Sequence, residues 1–187
     1  MAAILIEPPA SEPLSLAEAK NYLRVAHSAD DALIASLIAA ARSEVESRTR
    51  RALITQTWRI VIDAWPSAGV IASPVSPLRE VVGVRVRDEQ GEAEELDADI
   101  FIANTASAPG LIAFDASRVT QPGQAVAGIE IDIEAGYGAA ADVPAPLVQA
   151  IRLLLARAYE YRGERVQGDV MPEGIAELIA PYRVVTL

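Results

Sequence analysis

The stretch Ser28–Ala64 constrains this chain most, because a helical pattern passes there into a strand pattern with almost no linker. Leu33, Ile34, Leu37, Ile38, Ala41 and Val45 recur at three- and four-residue spacing, which predicts one wide apolar helix face. Ser28 is placed to cap the helix, Asp30 and Asp31 lie in its first turn, and Arg48, Arg50 and Arg51 cluster at its end. That charge order complements the helix macrodipole at both ends. Beyond the helix the period falls to two: Trp58, Ile60 and Ile62 alternate with Thr57, Arg59, Val61 and Asp63, the pattern of a half-buried strand from Ile54 to Ala64. A helix that feeds directly into a β region ties a helical part and a β part together.

Around this stretch the order of elements is helices, sheet, helices. Ala3 to Pro13 is extended, since Pro8, Pro9 and Pro13 prevent a helix. Ser15 and Glu18 form the capping box of a short helix from Leu16 to about Leu23. After the first strand, Val70–Ala72 reads as an edge strand beside a proline-broken connection. Val82, Val84 and Val86 alternate with Gly83, Arg85 and Arg87, and Glu89-Gln90-Gly91 turns the chain. Asp99–Ala103 and Leu111–Phe114 are short strands, and Ile129, Ile131 and Ile133 alternate with Glu130, Asp132 and Glu134 in the cleanest strand pattern of the chain. Asp142 and Pro144 open a helix with Leu147, Ile151, Leu154 and Ala158 as its stripe and Gly163 placed to end it. A last short helix runs from about Glu173 to Ala180. The expected class is α+β: a bundle of N- and C-terminal helices, residues 1–52 and 139–187, with an inserted antiparallel region of sandwich or barrel type, residues 53–138.

Charge narrows the functions available. The net charge is −10, and residues 53–138 carry 13 acidic against 5 basic side chains. Such a surface repels a nucleic-acid backbone, which argues against a sequence-reading DNA binder. Of the 16 basic residues only Lys20 is lysine, a bias that fits ion pairing at interfaces. Cysteine is absent, so disulfide and thiolate chemistry are excluded. No apolar run reaches the ~18 residues of a membrane span, and we expect a protein made and used without membrane passage.

The residues offer little catalytic chemistry. His27, the single histidine, lies in a turn and reads as solvated or capping; no nucleophile–base constellation, P-loop or H-E-x-x-H motif occurs. Gly136-x-Gly138 is a strand-to-helix turn without the third glycine of a phosphate loop. Glu130, Asp132 and Glu134, or Glu94, Glu95, Asp97 and Asp99 in a turn-like stretch, could offer oxygens to a divalent cation, but the simpler reading is a solvated face opposite Ile129, Ile131 and Ile133. Candidate partner contacts are cationic or β-prone. Arg42 and Arg152 lie on polar helix faces, Arg48, Arg50 and Arg51 at a helix end, and Tyr182, Arg183, Val184, Val185 and Leu187 in a tail too apolar for a free terminus.

Taken in order, EPLSLAEAKNYLRV at 12–25, DDALIASLIAAARSEVESRTRRALITQTW at 30–58, EAGYG at 134–138, VPAPLVQAIRLLLARAYEYRG at 143–163 and PEGIAELIAPYR at 172–183 carry a resemblance. The chain resembles the head–tail connector (adaptor) proteins of long-tailed phages and phage-derived gene transfer agents. The resemblance implies a structural subunit without enzymatic activity or cofactor. It implies a homo-oligomeric ring, usually a dodecamer, on the portal vertex at the head–tail junction of a virion or phage-like particle assembled from protein made in the bacterial cytoplasm. Its implied partners are the portal protein and a downstream stopper or tail protein, and DNA passes through the channel without sequence-specific binding. The smallest members are mainly helical, so the role of residues 66–127 stays open. From another class, the alternative reading is a monomeric acidic β module that binds a metal ion or a carbohydrate.

Overall fold

A computed structural model describes residues 1–161 and 171–185. The chain forms two compact units: a β unit of Met1–Ala10 and Thr55–Gly136, which also takes in Val184 and Val185, and a helical unit of Ser11–Ile54 and Tyr137–Arg183. Among the described residues, four α-helices and two antiparallel sheets make an α+β fold.

In the helical unit, α1 (Leu16–Leu23) starts at the expected capping box. The Glu18 N–H donates to Ser15 Oγ at 3.3 Å, and the Ser15 N–H donates back to the Glu18 carboxylate at 3.0 Å. Helix α2 (Asp31–Thr49) begins later than the Ser28 cap predicts: Asp30 is the N-cap residue, and Ser28 contributes only its carbonyl, which accepts the Asp31 N–H at 3.2 Å. Arg50 ends α2 in the left-handed region at φ 56°. Helix α3 (Ala145–Glu160) and helix α4 (Glu173–Ile179) follow, the latter running into a 3₁₀ turn, Ala180–Tyr182. The Gly163 stop predicted for α3 lies outside the described residues; the structure places Tyr161 at the C-cap.

Helix α3 packs against α1, α2 and α4. Ile34, Ile38 and Val45 of α2 meet Leu147, Ile151 and Leu155 of α3 in a core where none is more than 2% exposed. The α3 stripe therefore differs from the expected one. Leu155 is buried, Leu154 is half-buried and Ala158 is exposed. Both sets satisfy helical spacing, and packing against neighbours decides between them. On α2 the same constraint buries Ile34 fully and leaves Leu33 37% exposed.

The β unit holds β1 (Ala2–Glu7), β2 (Gln56–Ile62), β3 (Val70–Ala72), β4 (Leu78–Arg87), β5 (Ala93–Leu96), β6 (Phe101–Asn104), β7 (Leu111–Phe114) and β8 (Ile129–Ala135). A five-stranded sheet has the order β1-β2-β8-β4-β5, and a three-stranded sheet the order β3-β7-β6. Strand β8 is central because its isoleucines take one whole face: Ile129, Ile131 and Ile133 are all fully buried. It pairs with β2 from Gln56↔Ala135 to Ile62↔Ile129. The region thus enters and leaves through adjacent strand ends, and just outside them the Tyr137 N–H donates to the Leu53 carbonyl at 3.3 Å.

Two expectations change in this unit. Val82 does not share a face with Val84 and Val86, because an irregularity between Val81 and Gly83 reverses the alternation and leaves Val82 54% exposed. The acidic run at residues 93–96, expected to be turn-like, is strand β5: the Asp88–Gly91 turn, with Gly91 at φ 88°, folds it back on β4 as a hairpin. The three-stranded sheet is anchored by Trp65, whose ring centroid lies 4.8 Å from that of Phe114 and 5.9 Å from that of Phe101.

The core geometry separates two neighbouring leucines. Leu155→Ala should cost roughly 2–5 kcal/mol, the range for emptying a fully buried site, whereas Leu154→Ala should cost less than half as much. Urea unfolding of the two variants measures the difference.

Candidate interface residues and a covered ion-pair network

The structure divides the ten candidate contact residues by what they already touch. Arg42 is committed inside the helical unit: Nε lies 2.8 Å from Glu12 and Nη1 2.6 Å from Glu46, with the side chain only 14% exposed. Burial opposes its charge, but the two carboxylates more than offset that and hold the guanidinium above its ordinary pKa. Arg51 is also internal. Its Nε donates to the Tyr182 carbonyl at 2.5 Å, and its guanidinium sits 5.9 Å from the centroid of the Tyr137 ring. Arg51 thus fastens the 3₁₀ turn at Tyr182 to the end of α2.

The remaining candidates lie further out. Arg48 pairs with Glu44 one turn earlier at 2.7 Å, Arg50 is exposed at the helix cap, and Arg152 is half-buried within electrostatic range of Glu18. Arg183 is exposed, Val184 half-buried and Val185 73% exposed. Leu187 lies outside the described residues.

The strongest electrostatic feature of the β unit is one that sequence analysis assigns to solvent. Glu130 and Asp132 project from the face of β8 opposite the isoleucines, as alternation requires, yet each is only 9% exposed. Arginines from the two flanking strands cover them. Arg59 of β2 makes a two-pronged contact with Asp132 at 2.8 and 3.0 Å, and Arg85 of β4 reaches the same carboxylate at 2.5 Å. Arg87 of β4 holds Glu130 at 2.6 Å, with Arg59 a further 3.2 Å contact. Register explains the assembly, since Arg59 lies directly opposite Asp132 and Arg85 directly opposite Glu130. Burial pushes both carboxyls up, but the guanidinium hydrogen bonds and charges outweigh it and hold both below their ordinary values. Their oxygens are occupied by arginine, and among the described residues no group of three or more acidic or histidine side chains is arranged to hold a metal ion. No helix among them is long and apolar enough to cross a membrane.

Comparison with known proteins gives this geometry its context. The family model for phage gp6-like head-tail connector proteins matches residues 13–105. The chain belongs to the head–tail connector family. Solved structures similar to this connector cover it completely. A chain in the neck of an empty gene transfer agent particle, computed with C6 symmetry, is 28% identical over 100% of this chain and 97% of that one, with a TM-score of 0.85. A chain of the native gene transfer agent virion is 28% identical with a TM-score of 0.83, and one in the neck of the native particle, computed with C12 symmetry, is 29% identical with a TM-score of 0.81; coverage is again 100% and 97% for both. A search of curated proteins finds no match.

In this connector the covered ion pairs give a pH signature. Because both carboxyls titrate below their unfolded values, their contribution to stability is full above the ordinary carboxylate range and is lost as pH falls through their folded pKa values. Asp132→Asn should cost about 1–3 kcal/mol at neutral pH, the scale of hydrogen bonds to charged groups. It should also flatten the acid limb of the melting-temperature profile. Calorimetry between pH 7 and pH 3 measures both effects, and an unchanged acid limb would show that other groups govern acid unfolding.

Proposed function

We propose that this chain is one subunit of a ring, of about twelve copies, that sits below the portal around the DNA channel and joins the capsid to the tail. The observation that carries this reading is the likeness along the whole chain to proteins in the necks of particles computed with C12 and C6 symmetry. The chemistry agrees with it. The β region is strongly acidic, so a channel lined by it lets DNA pass without adhesion. Glu130 and Asp132, the acids best placed for a metal or for general acid–base work, are engaged by arginine, which leaves an enzymatic or metal-binding role without its donors. The helical unit acts as a bundle, and its outer cations Arg152 and Arg183 offer positive charge to a partner's acidic surface.

Particles made without this chain should contain filled heads that lack tails, and adding the purified protein should restore joining. Tailed, infective or transferring particles formed in its absence would overturn the reading.

The tail beyond Tyr182 is the proposed arm toward the portal or a neighbouring subunit. Tyr182 is held by Arg51 and packs on the helical core, so a truncation there damages the subunit itself. Removing residues 184–187 should leave the melting temperature of the isolated subunit within about 2 °C, as expected for a surface change in a chain of this size, while abolishing attachment to tailless heads. A lowered melting temperature with attachment intact would assign the tail to its own fold.

A further inference from the structure

Strand β1 forms one edge of the five-stranded sheet and β5 forms the other. All six residues of β1 are exposed, and Ile4, Leu5 and Ile6 are 49%, 42% and 42% exposed. This six-residue edge has no charge before Glu7 and no proline before Pro8, and its one irregularity falls between Leu5 and Glu7, so Ala2–Leu5 lacks the devices by which proteins protect an open strand. Its outer N–H and C=O groups are an unfilled template for another strand. At the opposite edge, Ala93, Glu94 and Glu95 of β5 are exposed as well.

We propose that β1 of one subunit pairs with β5 of the next, so that the sheet continues from copy to copy. This inference rests on the ring reading above and names its seam. A ring needs two different patches that meet head to tail. Pairing β1 with β1 is two-fold and closes at a dimer. Pairing β5 with β5 sets Glu94 and Glu95 of two copies against each other. Joining β1 to β5 avoids both problems, since β1 brings no acid to the acidic strand along Ala2–Ile6. Direction is also consistent. Five antiparallel strands leave β1 and β5 pointing the same way, so rotation about an axis along the strands brings them together in parallel. Register follows across the sheet: Ala2, Val61, Glu130, Arg85 and Glu95 form one cross-strand row.

The same rows supply a variant that spares the subunit. Ile4 lies opposite Arg59 of its own chain, so Ile4→Glu gains a neighbour of opposite charge within the fold. Along these rows Ala2→Glu meets Glu95 of the adjoining copy, and Ile4→Glu, two residues on, falls beside its Asp97. The full-length double variant should keep the wild-type melting temperature and need at least tenfold more protein to complete the ring on tailless heads. Adding Glu95→Lys to the same chain should restore assembly.

A second measurement uses the absence of native cysteine. Within one chain β1 and β5 stand four strand spacings apart, about 19 Å, far beyond the ~7 Å Cα separation a disulfide spans. Ala2→Cys combined in turn with Ala93→Cys, Glu94→Cys or Glu95→Cys should therefore give, on oxidation of assembled particles, a ladder of linked subunits on a denaturing gel. No ladder from any pair, with wild-type assembly by the double glutamate variant, would overturn the seam and leave the ring reading standing. If wild-type protein restores tails without forming any ring, the ring reading falls and the seam with it.

Discussion

The β unit depends on what β8 does with its two faces. One face is three isoleucines with no solvent exposure, and the other is two carboxylates that would be costly to cover alone. Arginines from both neighbours reach across the register and complete them, so the central strand is held by apolar burial beneath and by charge-assisted hydrogen bonds above. Because Arg59 comes from β2 and Arg85 and Arg87 from β4, the network ties three strands whose sequence positions are far apart. A slip of β8 by one residue would put carboxylates in the core and isoleucines under guanidinium groups, so the arrangement fixes register as well as affinity between strands.

The helical unit uses polar side chains for the same end. Arg42 draws Glu12 and Glu46 together, Lys20 pairs with Asp31 between α1 and the start of α2, and the Tyr159 hydroxyl donates to Asp30 at 2.6 Å. These ties join segments that the apolar core alone would leave free to slide. A chain rich in arginine and nearly free of lysine is suited to them, because a planar guanidinium serves two carboxylates at once. Part of the cationic surface that composition suggests is therefore used inside the subunit.

Local chemistry made much of the fold legible. The capping box placed α1 at Leu16–Leu23, the apolar period placed α2, and alternation placed β2 and β8. The errors arose where non-local pairing decides. Glu94 and Glu95 have no strand preference of their own and extend because a hairpin lays them on β4. The reversal at Val82 depends on an irregularity invisible to periodicity. The same limit applies at the candidate site. Arg59, Arg85 and Arg87 alternate visibly within their strands, but only the register of β2 and β4 on β8 brings them over Glu130 and Asp132. Arg42 looked like a polar-face residue because its partner Glu12 is thirty positions away.

The paired ends Gln56 and Ala135, with Tyr137 bonded to Leu53 just outside them, have a consequence for how such a chain can change. Residues 56–135 therefore leave from and return to adjacent strand ends. Lengthening or trimming a hairpin in the sheet alters a loop whose closure is already secured, and loop entropy grows only slowly with length. The helical unit is thereby insulated from such edits: one part of the subunit can keep a constant docking geometry while the other varies to suit a different neighbour.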